Sequence, residues 1–293
     1  MAQKTRAKSL RELNQLFAAM MTPEELNQGL SIKLRFDDVV ITPFSKSGTT
    51  WLQQIVHTLR TRGDMDFDDI SRVIPWIETS PALGIDLDVE QRANPRAFKS
   101  HLEYEQIPKG GKYINAVRNP EDALYSAHKF FEGWFLEPGT VGLEEFARER
   151  FIKPGGYWRH LRSWWQQRNK HYVLFLAYEH MKQDLDETIR RVAEFIDIPL
   201  DEDLLDLTLT HASLPFMLRH RDRFDDALMR QLSEQRCDLP SGSDSSKVRQ
   251  GQIDGHVLSA ELLRDLNEVW QKEITEPLGF ENYQALLDEL ADN

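Results

Sequence analysis

Val39-Val40-Ile41-Thr42-Pro43-Phe44-Ser45-Lys46-Ser47-Gly48-Thr49-Thr50-Trp51-Leu52 reads as a buried strand, a short turn and the start of a helix. Trp51, Leu52, Ile55, Val56 and Leu59 continue it at helical spacing. The turn carries Lys46, Gly48 and the hydroxyls of Ser47, Thr49 and Thr50. A helix N-terminus presents unpaired N–H groups and partial positive charge, Gly48 allows close backbone approach, and Lys46 adds a full charge. Together they suit a phosphate or sulfate. A plain corner with a solvated lysine is the other reading. The stretch is not a Walker A loop, because the lysine precedes the glycine and no glycine opens the turn.

Strand–helix alternation continues outward, as in a single α/β domain with a central parallel sheet flanked by helices and a P-loop-like strand–loop–helix. Residues 1–30 form an N-terminal helical segment. Leu10, Leu13, Leu16, Phe17 and Met20 mark an amphipathic helix that packs on the domain or touches a membrane surface. Thr22-Pro23 starts a second helix. Leu34 to Ile41 is the first strand. Residues 64–98 and 215–247 are irregular or charged stretches expected to act as acceptor or lid loops. Phe98 begins a second strand with His101 just past its end, where open parallel sheets bind ligands. Taken alone, that histidine is more often a surface or satisfied core residue than a catalytic one.

Lys112 to Val117 is a strand running into Arg118 and a helix capped by Asn119-Pro120. Ser126 lies eight residues after Arg118, so this corner is either a second phosphate site or a surface arginine beside a solvated serine. Phe130, Phe131, Trp134 and Phe135 fit core packing and an apolar acceptor pocket equally. Tyr157, Trp158, Leu161, Trp164 and Trp165 mark an aromatic helix, and His171 to Tyr178 a central strand. Residues 238–247 are polar, turn-rich and expected to be mobile. A last amphipathic helix runs from about Ser259 to Trp270.

The 293 residues carry a net charge of −12, which argues against an extended nucleic-acid surface but not against a local anion pocket. The single cysteine, Cys237, excludes an internal disulfide and a cysteine metal site, and fits a reducing cytoplasmic compartment. No signal-peptide pattern or membrane-length apolar run is present, so no integral membrane association is expected.

Lys46-Ser-Gly-Thr-Thr-Trp51 resembles the 5′-phosphosulfate loop of the cytosolic-type sulfotransferases, which use 3′-phosphoadenosine 5′-phosphosulfate (PAPS) and release adenosine 3′,5′-bisphosphate (PAP). Further segments agree in order. Arg118-Asn-Pro-Glu-Asp with Ser126 looks like the 3′-phosphate segment, and Lys99-Ser-His101-Leu looks like the segment holding the catalytic base. Leu174 to Lys182 resembles a strand end of the family, and Arg249-Gln250-Gly251 looks like a variant of its Arg-Lys-Gly. The resemblance implies a sulfotransferase that moves a sulfuryl group from PAPS, without a metal, to a hydroxyl of a small-molecule or lipid acceptor. His101 would be the base, with Lys46 and Lys99 stabilising the transferring group. Ser47, Gly48, Thr49 and Thr50 would hold the 5′-phosphosulfate. Arg118, Ser126, Arg249, Gln250 and Gly251 would hold the 3′-phosphate. Trp51, Tyr178 and Ser213 would contact adenine, and Phe130, Phe131, Trp134 and Trp76 the acceptor.

Departures are Ser45 for a proline, Gln250 for a lysine, and Ala212 for an adenine-contacting threonine, with Ser213 as substitute. The family's Lys-x-x-x-Thr-Val-x-x-x-Glu dimer motif would fall on Gly255, Ser259, Ala260 and Arg264, and is absent, so the oligomeric state stays open. Low similarity in the acceptor loops points to a bacterial member. The alternatives are a P-loop-type ATP-dependent kinase, whose magnesium aspartate is not evident at a strand end, and a non-catalytic nucleotide-binding protein.

Overall fold

In a computed structural model of the chain, which describes residues 5–245, 247–248 and 258–291, the first strand, β1, is only Val39–Ile41. The expected start at Leu34 is too early. The Arg35 N–H donates to Asp38 Oδ2 at 2.7 Å, which closes a turn immediately before the strand. Asp38 then takes the Arg96 Nε–H at 2.9 Å, with both side chains 2% exposed or less. This pair anchors β1 to the segment entering β2 (Ala97–Lys99).

β3 (Lys112–Val117) and β4 (Val173–Ala177) complete a parallel sheet in the order β2-β1-β3-β4. Val40 lies opposite Phe98 on one side and Tyr113 on the other. Successive strand residues face opposite ways. Val39, Ile41 and Ile114 therefore pack with Leu52, Ile55 and Leu59, while Val40, Phe98 and Tyr113 pack with the aromatic helix Gly156–Trp165. Both faces are covered, which is why the strands read as unbroken apolar runs.

The helix starts follow their local chemistry. Ser9 caps α1 (Leu10–Met20). Thr22 and Glu25 form a reciprocal capping box on α2 (Pro23–Leu30). Asn119 caps α4 (Pro120–Trp134) through the amides of Glu121 and Asp122. α3 (Thr49–Thr61) is the helix after the glycine turn. α1 packs on the domain, with Leu13 fully buried and Met20 nearly so.

Residues 201–235 divide into Glu202–His211, Leu214–Arg219 and Ala227–Arg236, rather than one helical run. The segment from 238 to 245, expected to be mobile, is packed: Leu239, Ser243 and Ser245 are buried, and the Ser243 carbonyl accepts from Arg230. Ser259 caps the helix Ala260–Trp270. The sequence reading makes this the last helix, but a further one, Tyr283–Ala291, follows it, with Leu286 and Leu287 buried.

Removing one partner of a buried ion pair leaves the other charge uncompensated. Asp38→Ala should lower stability by roughly 3–5 kcal/mol in urea unfolding, and adding Arg96→Leu should recover part of that loss.

Candidate active site

Strand order reverses around β1, so the loops after β1, β2 and β3 open together at one end of the sheet. In parallel sheets this is where ligands bind. The loop after β1 supplies Lys46, the segment after β2 supplies His101, and the loop after β3 supplies Arg118. All three line one cavity of about 910 Å³.

The β1–α3 turn is built as an anion seat. Lys46 and Gly48 both take left-handed backbone conformations, at φ 70° and 95°. A Cβ on Gly48 would lie 3.0 Å from the Tyr178 ring, so the position needs glycine for space as well as for backbone freedom. The buried hydroxyls of Ser47 and Thr49 have no partner among the described residues. Unpaired buried donors at a helix N-terminus fit an anionic oxygen group. Lys46 Nζ lies 4.5 Å from the Phe130 ring centre.

Arg118 ties the corners together. It donates to the Lys46 carbonyl at 2.9 Å, lies 4.5 Å over the Tyr178 ring, and its own carbonyl accepts from the Tyr157 hydroxyl at 2.6 Å. Trp51 meets Tyr178 edge-on at 5.7 Å and donates its indole N–H to the Ala212 carbonyl at 2.8 Å. Ser126 and Thr50 are also on the cavity wall. Ser213 is not among the lining residues. Its hydroxyl donates to the Thr210 carbonyl and caps the helix Leu214–Arg219. Arg249, Gln250 and Gly251 lie outside the described residues.

His101 sits two residues beyond β2. Its Nδ1 is 2.7 Å from the Pro43 carbonyl, an acceptor, so Nδ1 carries the proton and Nε2 keeps its lone pair. Burial, and next the Lys99 charge, hold its pKa well below the usual histidine range, against the opposing Pro43 bond. The ring is therefore neutral near pH 7. Lys99 is buried, with its ammonium 3.8 Å over the Trp76 ring, and burial brings its pKa down to about 7. Lys247 pushes it the same way, while Asp226 and Glu78 oppose.

Phe130, Phe131, Trp134 and Trp76 line the cavity, and Phe130, Phe131 and Trp134 also pack in the core. Trp134 is 2% exposed and donates to Ser233 Oγ at 3.0 Å. Sequence reasoning missed several lining residues. Phe17 and Met20 of α1, with Met217, Met229 and Leu232, extend the apolar wall. Glu78, Asp226, Lys182 and Lys247 add charge, and Asp226 pairs with Lys247. Only Glu78 had a signal, standing two residues beyond Trp76.

An anion seat at the switch point of a parallel sheet, facing a neutral histidine with a free ring nitrogen, defines a group-transfer enzyme with a P-loop-like fold. The sulfotransferase domain family matches residues 36–278, and the chain belongs to that family of transferases. Sulfotransferase 1B1 of Canis lupus familiaris is 33% identical over 199 residues, covering 62% of this chain and 67% of its own length. Sulfotransferase 2A6 of Rattus norvegicus is 32% identical over 214 residues, covering 69% and 74%. The chain thus spans about two thirds or a little more of these relatives. Mouse sulfotransferase SULT7A1, solved with PAP, superposes with a TM-score of 0.66 at 21% identity, over 93% of this chain and 95% of its own. A retinol dehydratase solved with androsterone and PAP superposes at 0.68 and 17% identity, over 90% and 94%. These solved structures share the fold.

The lowered Lys99 pKa has a signed consequence. Between about pH 7 and pH 10.5 the folded protein has released this proton while the unfolded chain still holds it, so stability rises with pH through that window. Lys99→Met should remove a rise on the order of 1 kcal/mol per pH unit, measured by denaturant unfolding without ligand from pH 7 to 9.

Proposed function

We propose that the protein transfers a sulfuryl group from PAPS to a hydroxyl of a small-molecule or lipid acceptor. The observation that carries this reading is His101. Its Nδ1 is fixed by the Pro43 carbonyl and its Nε2 is left as a base, in the same cavity as Lys46, Arg118 and the N-terminus of α3. The unpartnered Ser47 and Thr49 hydroxyls and the cationic side chains fit the anionic donor. Ser47, Gly48, Thr49, Thr50 and Lys46 would hold its phosphosulfate. Arg118 and Ser126, with Arg249, Gln250 and Gly251, would hold its 3′-phosphate, and Trp51 and Tyr178 its adenine.

The bound donor supplies an activated sulfuryl group. His101 Nε2 takes the acceptor's hydroxyl proton as that oxygen becomes a nucleophile. Lys46 and Lys99 face the charge that develops on the transferring and departing oxygens, in a buried setting where such charges interact strongly. The walls formed by Trp76, Phe130, Phe131, Trp134 and the methionines favour an apolar or aromatic acceptor. The relatives solved with PAP support this reading, as does the androsterone bound to one of them. The whole chain, residues 1–293, acts as one sulfotransferase domain in this proposal. The single cysteine supports a cytoplasmic setting, and the divergent acceptor loops a bacterial source. The ATP-dependent kinase reading is not favoured, since the β1–α3 turn lacks the Walker glycine and lysine order.

Titration calorimetry with PAP, against ADP and ATP with magnesium, tests the donor. Binding of PAP alone is expected, and a preference for ATP with magnesium overturns the reading. Arg118→Ala should weaken PAP binding. His101→Ala should keep PAP binding and lose roughly 10²- to 10⁴-fold in transfer rate, measured by product formation with a phenol acceptor.

A further inference from the structure

The segment Pro75–Ile77 runs alongside β2 as a short extra edge, and the chain then turns over residues 77–80, where the Trp76 carbonyl accepts from the Thr79 and Ser80 amides. The Lys99 N–H donates to the Pro75 carbonyl at 2.8 Å, the Ile77 N–H donates to the Lys99 carbonyl at 2.9 Å, and Trp76 pairs with Lys99 in parallel. Ile77 is fully buried among core residues of the sheet's covered face, while Trp76 and Glu78 both line the cavity. Trp76 stacks over the Lys99 ammonium at 3.8 Å and meets the His101 ring edge-on at 5.2 Å. Glu78 Oε1 accepts the His101 main-chain N–H at 2.9 Å.

That amide has left the ladder. Ser100 still donates to the Ile41 carbonyl, but His101 lies one residue further on, where the chain turns away from β1. We infer that Glu78 is the positioning residue for His101, holding its main chain while the Pro43 carbonyl holds its ring. Two fixed points, one on each side of Cα, set where Nε2 stands in the cavity. A carboxyl group is an expensive way to satisfy one amide. Glu78 is 6% exposed, and its Oε2 has no partner among the described residues. Burial pushes the Glu78 carboxyl up, against the His101 main-chain bond that it accepts. An amide of the same shape keeps an acceptor oxygen for that bond, so the role inferred here is one of geometry. The inference rests on the sulfuryl-transfer reading for its kinetic test but not for its spectroscopic one.

The test compares Glu78→Met, which keeps length and removes the acceptor, with Glu78→Gln, which keeps an acceptor oxygen. Glu78→Met is expected to lower kcat about 10- to 100-fold at unchanged acceptor KM and PAP affinity, with Glu78→Gln returning to within about threefold of wild type. Wild-type kcat in Glu78→Met overturns the inference. So does a failure of glutamine to rescue, or a loss shared equally by PAP binding. Ring-nitrogen NMR of His101 gives a readout independent of turnover. A single Nδ1–H tautomer in wild type and Glu78→Gln, with a mixture in Glu78→Met, supports the positioning role. An unchanged tautomer in Glu78→Met overturns it. Absence of transfer by the wild-type protein would remove the functional reading, and the NMR comparison would still decide the role of Glu78.

Discussion

The bond from the Arg118 guanidinium to the Lys46 carbonyl, 2.9 Å long, joins the ends of the two strands on which the site depends. Lys46 adopts a left-handed conformation that a side-chain-bearing residue takes only at some cost. The surrounding structure must hold it there. Arg118 does so from β3, and is itself held by Tyr157 on the aromatic helix and by the Tyr178 ring after β4. Three strand ends therefore converge on one turn. The two left-handed residues in succession around Ser47 turn the chain sharply into α3, which leaves the hydroxyls of Ser47 and Thr49 buried without partners. The arginine at the β3 turn is thus a structural brace, apart from the ligand contact proposed for it.

The cavity reconciles an acidic protein with the anionic donor proposed for it. The chain carries −12 overall, yet among the described residues Lys46, Lys99, Lys182, Lys247 and Arg118 face one space with only the carboxyl groups of Glu78 and Asp226 among them. Buried cations repel one another and lose hydration, which is why Lys99 releases its proton near pH 7. Asp226 shows the converse. Burial opposes its ionisation, but Lys247, Lys99 and Lys46 outweigh burial and hold its pKa low. An anionic ligand would act on the lysines as Asp226 already does, so binding and protonation of this pocket are coupled.

Much of this was legible in the chain. The glycine turn, the Asn119-Pro120 and Thr22-Pro23 caps and the buried strands are local signals, and each appears where the residues place it. The Leu34 start of β1 was misread because apolar content does not reveal that Asp38 closes a turn onto Arg35. Ser213 reads as an adenine contact, but its hydroxyl accepts the Phe216 N–H of its own helix start and donates to the Thr210 carbonyl of the helix before. The methionine wall and the Lys247–Asp226 pair were invisible, because they join α1, the helix Ala227–Arg236 and the segment after it, which lie far apart in sequence. Periodicity marks which face of an element is covered. It does not say which distant element covers it.

In the proposed transfer His101 and Lys99 face opposite demands. His101 would have to be neutral to take a proton, and Lys99 charged to steady an anion, yet both are buried two residues apart at the end of β2. A shared low-polarity setting disfavours charge on both. Their environments separate them. His101 meets a carbonyl at Nδ1 and the positive field of Lys99, which together favour a neutral ring with one defined tautomer. Lys99 meets the face of Trp76 and the fields of Asp226 and Glu78, which restore part of what burial removes. Lys99 belongs to the strand and Ser100 still bonds to Ile41, while His101 has left the ladder. The break in the sheet after Ser100 thus lets one short segment present a buried lysine and a neutral imidazole to the same space.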